Sequence, residues 1–325
     1  MRVIQVNRFG GPEVLEVTDI REPQPARHQI LVDVRVAGVN YLDAYQRSGQ
    51  ESAGLTTPFV LGVEGAGQVL QVGSEVEGVR PGDRVAWATT LGSFAEAVLV
   101  DAATAVPIPD DISDELACGL LLQGLTAHFL ATSAFPIGQG DVALVHAAAG
   151  GVGLLLTQMV KLRGGEVIGT VSSDAKARLI RELGADHAIR YDEADFAEIV
   201  RDITDGNGVT VVYDSVGRAT FEGSLASLSP RGYLVLYGAA SGPVAPLDPD
   251  RLMAAGSLFL TRPSLLDYTR TREELLERAA DVFNWAGADQ LKLHVGGRYH
   301  FDDVVTAYER LEGRQTAGKL LLVPR

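Results

Sequence analysis

Residues 142–153 constrain the fold of this chain more than any other segment. A short apolar run, Val142-Ala-Leu-Val, ends in small residues spaced Ala147-x-x-Gly150-x-x-Gly153, and a helical pattern follows. The order predicts a buried parallel strand, a tight turn and a helix. In such a turn a pyrophosphate can approach backbone N–H groups at the helix N-terminus, where a Cβ would obstruct it. We therefore predict a dinucleotide-binding turn; the alternative is a purely structural turn, which also uses glycine.

Length, charge and cysteine content narrow the class of protein. A chain of 325 residues exceeds what one compact core usually holds, so two domains are expected. The net charge of −14 argues against general nucleic-acid binding, which requires basic patches. The single cysteine, Cys118, has apolar neighbours, which favours a buried, inert thiol in a reducing compartment. The N-terminus predicts a strand rather than a signal peptide, and no apolar run long enough to span a bilayer is expected, which together favour a cytoplasmic protein.

The first hundred residues are predicted to be rich in strands. Residues 30–37 alternate between two faces with the period of two that a strand requires. Glycine and proline interrupt this and the following runs, for example in Arg80-Pro81-Gly82-Asp83. Short strands separated by turns predict a partly closed barrel or a sandwich.

After Pro109 the pattern changes to alternating strands and helices. Ser113 is expected to cap a helix that begins at Asp114. From Val142 onward strands are predicted at 142–146, 166–171, 187–190, 209–213, 233–237 and 257–261, with helices at 151–163, 174–183, 194–203, 219–228 and 271–286. This order predicts a doubly wound parallel sheet of the α/β class. A last strand at 319–323 has no obvious place in that sheet and is expected to return to the N-terminal domain.

The residues after the second strand of the alternating region bear on the choice of nucleotide. A site for NAD places an acidic side chain there to bind the ribose hydroxyls, whereas this chain has Val171 and Ser172. Ser172 and Ser173 leave room for a 2′-phosphate, and Lys176 could supply its counter-charge, with Tyr191 beside it. The alternative is that Ser173 or Asp174 caps a helix and Lys176 is a solvated surface residue. We favour NADPH over NADH.

Further cofactor contacts are predicted at the carboxyl ends of other parallel strands, where ligands bind in open α/β sheets. Backbone at Ser215 could line the nicotinamide. Tyr237 and Gly238 follow the next strand and are predicted to contact the cofactor for the same reason. For Asp214 a ligand contact and the capping of the following turn stay equally open. At the first turn, the residues predicted to hold the pyrophosphate are Ala149, Gly150, Gly151 and Val152.

Together these segments resemble the medium-chain dehydrogenase/reductase superfamily, and within it the zinc-independent, zeta-crystallin-like quinone oxidoreductases. The resemblance rests on residues 37–49, 61–67, 81–85, 123–127, 146–153, 212–217 and 261–264. It implies a Rossmann-type doubly wound sheet inserted in a GroES-like β-barrel catalytic domain. The implied boundaries are 1–120 plus 265–325 for the GroES-like domain and 121–264 for the Rossmann domain.

The resemblance also gives meaning to what the chain lacks. Zinc alcohol dehydrogenases of the superfamily have a cysteine where this chain has Asn40, and a histidine where it has Val63 beside Glu64. The four-cysteine structural zinc lobe is missing, since Cys118 is the single cysteine. Zinc needs several converging Cys, His or carboxylate ligands, so no metal is expected.

The implied chemistry is hydride delivery from NADPH to a small quinone without a metal. Asn40 is expected to hydrogen-bond the carbonyl of the acceptor or the nicotinamide ribose, and Tyr45 to assist as a donor or, equally, to be a rim aromatic. Glu64 is expected to hold local backbone or pair with an arginine, and Lys319 to contact a cofactor phosphate or be solvated. Gln123 stands where some relatives have lysine, so no charge is expected there.

Two other functions stay open: reduction of an activated C=C bond in an enal, enone or enoyl thioester, and NADPH binding without catalysis. An enoyl-thioester enzyme would need basic residues for the nucleotide of its carrier, and residues 41–60 offer only Arg47. We also expect a homodimer, formed by adding the edge strand near residues 256–260 to that of a second copy.

Overall fold

The computed structural model describes residues 1–50 and 54–324, so residues 51–53 of the segment 41–60 lie outside the described residues. The described strands are β1 (Arg2–Val6), β2 (Leu15–Asp19), β3 (Gln29–Val39), β4 (Phe59–Val60), β5 (Gly65–Val72), β6 (Arg84–Trp87), β7 (Ala97–Asp101), β8 (Val106–Pro107), β9 (Val142–Val145), β10 (Glu166–Val171), β11 (His187–Arg190), β12 (Val209–Asp214), β13 (Leu228–Leu236), β14 (Phe259–Thr261), β15 (Val295–His300) and β16 (Lys319–Val323). The described α-helices are α1 (Tyr41–Ser48), α2 (Asp114–Phe129), α3 (Gly151–Leu162), α4 (Asp174–Glu182), α5 (Phe196–Ile203), α6 (Phe221–Ser227), α7 (Asp250–Ala254), α8 (Arg272–Gly287) and α9 (Val304–Glu312).

The chain forms two compact units. The first comprises Met1–Leu122, Thr271–Gly287 and Leu293–Arg325, and the second comprises Gln123–Arg270 and Ala288–Lys292. The first and last parts of the described chain therefore belong to the same unit.

The first unit is built on antiparallel sheets. A three-stranded sheet has the order β2-β1-β4, and a larger sheet has the order β15-β16-β3-β5-β6-β8, with β7 also pairing with β3. Strand β16 pairs with β3 in antiparallel register, Leu321 opposite Gly38, which confirms the predicted return of the last strand. The apolar faces of these strands enclose a core that includes Trp87, Phe94 and Phe301, all without solvent exposure.

The second unit contains the predicted doubly wound sheet. Its strand order is β11-β10-β9-β12-β13-β14, and all the pairings are parallel. The central strands are apolar on both faces because helices cover a parallel sheet on both sides. Leu144, Ile168 and Val212 are fully buried.

Several predicted boundaries shift for local reasons. Helix α5 begins at Phe196 because the Asp195 carboxylate accepts the N–H of Ala197. Strand β14 begins at Phe259, two residues late, and Ser257 has a positive φ of 58°. The capping of α2 by Ser113 is confirmed: its hydroxyl accepts the N–H of Leu116 at 3.2 Å.

One helical stretch contradicts the expectation that no apolar run is long enough to cross a membrane. Asp114–Ala134 passes that test by length and composition, but 67% of its most apolar window is buried inside the protein. A core helix of a soluble protein has the same properties, so this stretch is weak evidence for a membrane span.

Candidate functional site

The turn after β9 brings backbone atoms unusually close together. Ala147 has a positive φ of 49°, and its carbonyl accepts the N–H of Gly150 at 2.8 Å. A Cβ on Gly153 would lie 2.5 Å from the carbonyl oxygen of Ala147 and 2.7 Å from Cα of Ala148. Because these are backbone atoms that cannot swing aside, only glycine lets α3 start this close to the turn.

The start of α3 directs backbone amides towards the end of the strand. Its first intrahelical bond runs from the N–H of Leu154 to the carbonyl of Gly150 at 2.9 Å, so the amides of residues 151–153 precede the hydrogen-bonded ladder. A Cβ on Gly151 would lie 1.9 Å from Oε1 of Gln123, whose uncharged side chain covers this glycine. Together with buried Ala149 and half-buried Val152, this forms a cradle suited to an anionic group.

The carboxyl ends of β10 and β11 bring together the residues predicted to select the nucleotide. The Ser173 hydroxyl caps α4 by accepting the N–H of Lys176 at 3.3 Å, as the alternative interpretation predicted. The ammonium of Lys176 lies 3.3 Å from the Ser172 hydroxyl, which holds the positive charge at the strand end rather than in open solvent. Tyr191, 38% exposed, follows β11 directly.

The carboxylate of Asp174, close to Lys176 in sequence, forms an ion pair with Arg190. Arg190 contacts its carboxylate at 2.8 Å and that of Asp192 at 2.7 Å. These hydrogen bonds raise the pKa of the Arg190 guanidinium above its usual value, and the bond to Asp192 has the largest effect. A carboxylate at this place would repel a 2′-phosphate, and the contact with Arg190 reduces that repulsion, although the same guanidinium also contacts Asp192 and Glu193.

Asp214, at the end of β12, is a fully buried cap of the following turn. Oδ1 accepts the N–H groups of Val216 at 2.8 Å and Gly217 at 2.9 Å. Oδ2 accepts the hydroxyls of Thr220 at 2.7 Å and Ser224 at 2.8 Å. Of the two interpretations left open, these contacts favour the cap.

The turns after β12 and β13 contact each other. The hydroxyl of Tyr237 hydrogen-bonds the side chain of Ser215, and burial raises the Tyr237 pKa well above its usual range. A Cβ on Gly238 would lie 2.5 Å from the Ser215 carbonyl oxygen. Three of the residues predicted to bind the cofactor, Ser215, Tyr237 and Gly238, thus form one contiguous surface.

In the first unit, Asn40 is almost buried at the start of α1, 7% exposed. Nδ2 donates to Oε1 of Glu64 at 2.7 Å and to the carbonyl of Gly38 at 3.2 Å. Oδ1 accepts from the ammonium of Lys319 at 3.1 Å. Both amide N–H groups and the carbonyl oxygen of this side chain are therefore engaged within the protein, and the side chain also takes part in a capping box with Asp43.

Lys319 requires a correction. The structure contradicts both interpretations, phosphate contact and solvated lysine, because Lys319 has no exposed surface and forms an ion pair with the buried Glu64. Its three N–H donors are accounted for by Glu64, Asn40 and the carbonyl of Val39. Glu64 also differs from the expectation of an arginine partner: it pairs with lysine, and Oε2 holds local backbone by accepting the N–H of Leu122 at 3.2 Å.

Tyr45 lies one turn along α1, partly exposed, with its ring 6.3 Å from that of Tyr41. The contact is compatible with both the donor and the rim interpretation. The sequence analysis missed Asp43 on the same helix. Its Oδ2 accepts the N–H of Asn40 at 2.7 Å and the hydroxyl of Tyr308 at 2.8 Å, and burial raises the pKa of Asp43 to about 7.

No group of three or more His, Cys, Asp or Glu side chains that could hold a metal ion occurs among residues 1–50 and 54–324. Cys118 is buried, and desolvation raises the pKa of its thiol well above the usual value, so its reactive thiolate form is disfavoured.

Two segments of the chain match known protein families. Residues 26–110 match the family described as an alcohol dehydrogenase GroES-like domain, and residues 151–284 match the family described as zinc-binding dehydrogenase. A quinone oxidoreductase of Salmonella typhimurium is 42% identical over 99% of both chains, and quinone oxidoreductase 1 of Escherichia coli is 40% identical over 99% of both.

Solved structures agree over the whole length. Mycobacterial Rv1454c complexed with NADPH superposes with a TM-score of 0.96 at 47% identity, covering 100% of both chains. The Escherichia coli quinone oxidoreductase complexed with NADPH gives a TM-score of 0.97 at 40% identity, also with 100% coverage of both. The Rossmann-type and GroES-like folds are thereby confirmed, and the chain belongs to the quinone oxidoreductases of the medium-chain dehydrogenase/reductase superfamily.

Proposed function

We infer that this chain is an NADPH-dependent quinone reductase that transfers hydride to a small quinone without a metal. The observation that carries the choice of cofactor is the Lys176 ammonium against the Ser172 hydroxyl, at a strand end where an NAD site would place an acid. Pairing of Asp174 with Arg190 weakens the repulsion that the Asp174 carboxylate would exert on a 2′-phosphate. The names of its full-length relatives and the NADPH in two solved structures support the same activity.

The residues of the second unit fit this cofactor. The amides of residues 151–153, at a turn where a Cβ on Gly153 would meet backbone, offer donors to a pyrophosphate. Ser172, Lys176 and Tyr191 are the proposed contacts of the 2′-phosphate, and Ser215, Tyr237 and Gly238 those of the nicotinamide half. When bound, NADPH supplies the hydride; the protein binds, orients and excludes water.

Asn40 and Tyr45 remain the proposed catalytic residues. Asn40 is the proposed partner of the nicotinamide ribose or of the carbonyl of the acceptor, and binding either one requires it to exchange one of its present hydrogen bonds. Tyr45 is then the proposed donor to the developing oxyanion of the quinone.

The organisation of the protein is also part of the proposal. We assign residues 1–120 plus 265–325 to a catalytic domain and 121–264 to a cofactor-binding domain; the two compact units, divided near the same positions, support this. We further propose a cytoplasmic homodimer that acts on a small molecule. The lone buried cysteine suits a reducing compartment.

The test is a panel of acceptors, namely quinones, enals, enones and crotonyl thioester, assayed by oxidation of NADPH and of NADH. Of all the combinations of acceptor and nucleotide, we expect quinones with NADPH to give the fastest turnover. Absence of reaction with every acceptor and both nucleotides would contradict an enzymatic function and leave nucleotide binding alone.

Reduction of an activated C=C bond is the second candidate. A 2-haloacrylate reductase of Burkholderia is 36% identical over 98% of both chains. The same panel decides, because faster turnover of enals or enones than of any quinone would favour this function.

A further inference from the structure

A buried chain of polar side chains joins three neighbouring strand ends in the second unit. Nδ1 of His146 lies 3.0 Å from the hydroxyl of Thr170, near the end of β10, and Nε2 lies 3.0 Å from the hydroxyl of Ser224 on α6. That hydroxyl lies 2.8 Å from Oδ2 of Asp214, at the end of β12. None of the four residues is more than 2% exposed, and none has a role in the hydride transfer proposed above.

The chemistry of the groups gives these hydrogen bonds a single direction, which runs from Thr170 to Asp214. A carboxylate only accepts, and four donors converge on Asp214, so the single proton of the Ser224 hydroxyl points to it. Towards His146 the same hydroxyl can then only accept, which places the imidazole proton on Nε2. Nδ1 is left as the acceptor of the Thr170 hydroxyl. The ring of Phe196 packs edge-on against the imidazole, 4.8 Å between centroids, and burial lowers the His146 pKa, which favours the neutral ring.

Asp214, the last residue in this series of hydrogen bonds, fixes the loop formed by residues 215–217. Asp214 draws in the amides of Val216 and Gly217, while the hydroxyl of Ser241 donates to the carbonyl of Val216 at 2.7 Å. Gly217 has a positive φ of 86°, and a Cβ there would lie 2.8 Å from the carbonyl oxygen of Gly242. Residues 215–217 therefore have little freedom as long as Asp214 keeps its position.

We propose that Thr170, His146, Ser224 and Asp214 form a directed hydrogen-bond relay that positions residues 215–217 for the nicotinamide half of NADPH. The proposal rests on the function inferred above, and these are positioning residues because they act through the loop. The relay couples this loop to β10, which is followed directly by Ser172 on the adenosine side. Both halves of the dinucleotide are thus held at a fixed separation by side chains that need not contact it.

The first test needs no catalysis. A nitrogen-15 spectrum of the histidine side chains distinguishes the two neutral tautomers and the imidazolium. In the unaltered protein without nucleotide, neutral His146 with its proton on Nε2 is expected, assigned by its loss in His146→Gln. A proton on Nδ1 alone, or a charged ring at pH 7, would overturn the relay.

The second test measures NADPH binding by fluorescence in Ser224→Ala, which removes the central hydroxyl. The matched control is Ser227→Ala: Ser227 is also buried on α6, but its hydroxyl donates to the carbonyl of Gly223, at 2.7 Å, outside the chain of residues that ends at Asp214. Ser224→Ala is expected to raise both the Kd and the KM for NADPH about tenfold, with kcat and the KM for quinone within about twofold. A merely structural serine would instead lower the melting temperature in both variants with no selective change in Kd.

The two proposals fail separately. Unchanged NADPH affinity in Ser224→Ala relative to Ser227→Ala overturns the relay and leaves the reductase function standing. Failure of the unaltered protein to bind NADPH overturns the proposed function.

Discussion

Asp43 is a buried carboxyl group whose ionisation should be visible in the stability of the protein. Its pKa is about 7 in the folded state against an ordinary value of 3.8, so between these values the folded chain holds a proton that the unfolded chain has lost. Stability from this group therefore falls as the pH rises from about 4 to about 7, by about 4 kcal/mol in all, and is constant above.

The variant Asp43→Asn cannot ionise and should lose this dependence. The free energy of unfolding, measured by chemical denaturation at pH 5 and pH 8, is expected to differ less between the two pH values than in the unaltered protein. The control is Asp19→Asn, at a site where the side chain is 82% exposed. Identical profiles for Asp43→Asn and the unaltered protein would contradict the raised pKa.

Lys176 should determine the preference between the two nucleotides. Removing its charge in Lys176→Ala is expected to raise the KM for NADPH about tenfold or more and to leave the KM for NADH nearly unchanged, because only NADPH carries the 2′-phosphate. Steady-state kinetics with both nucleotides measures this. Arg178→Ala, an exposed cation on the same helix, is the control, and an equal rise for both nucleotides would remove the assigned role of Lys176.

At the residue scale, prediction from sequence works where the relevant partner is local. The capping by Ser113 and Ser173 depends on an amide three residues away. Lys319 was wrongly placed because its partner, Glu64, is 255 residues distant in sequence. No local pattern separates a lysine buried against a carboxylate from one in solvent.

At the scale of elements, the ion pair of Lys319 and Glu64 joins β16 to the residue that precedes β5. Lys319→Met would leave the Glu64 carboxylate buried without its cation, at a cost of about 3–5 kcal/mol in the free energy of unfolding. The double variant Glu64→Gln/Lys319→Met should recover part of this loss. Chemical denaturation of both variants tests it, and a double variant as unstable as the single one would contradict the pairing energy.

The turn before α3 supplies a second test at this scale. Gly153→Ala forces a Cβ against backbone and should cost about 1–3 kcal/mol, since neither the helix nor the turn can yield cheaply. Gly150→Ala is the milder control: its Cβ would approach the carbonyl oxygen of Ala147 at 3.1 Å, against 2.5 Å for Gly153, and its φ of −76° suits any residue. Equal melting temperatures for the two variants would show that the close approach has no energetic weight.

Elements were predictable where apolar residues recur with a clear period. The strands and main helices from β9 to α6 follow the predicted order for this reason. Strand β15 was missed because its sequence, Val-Gly-Gly-Arg-Tyr-His, has neither alternation nor an apolar face. Helix α7 was missed because, at five residues, it is too short to show a helical period.

At the scale of the whole molecule, β14 is an edge of the six-stranded sheet with exposed apolar side chains. Phe259 is 49% exposed and Leu260 is 36% exposed. An open apolar edge favours pairing with a second copy of the chain. The variant Leu260→Arg is expected to be monomeric at concentrations where the unaltered protein is dimeric, as measured by light scattering after size-exclusion chromatography.

The control for that experiment is Leu70→Arg, which alters a comparably exposed leucine on β5 of the other unit. It should leave the mass unchanged. A monomeric unaltered protein at micromolar concentration would contradict the proposed dimer.

The pairing of β16 with β3 has a consequence for synthesis on the ribosome. All residues of the second unit have left the ribosome once residue 292 has emerged. Strand β3 can pair with β16 only after about 280 further residues have been synthesised. Domains generally fold as units during translation, and distant pairings form slowly. The later-encoded nucleotide-binding unit should therefore acquire its native structure before the unit that contains β3, which must stay incomplete until β16 has been translated.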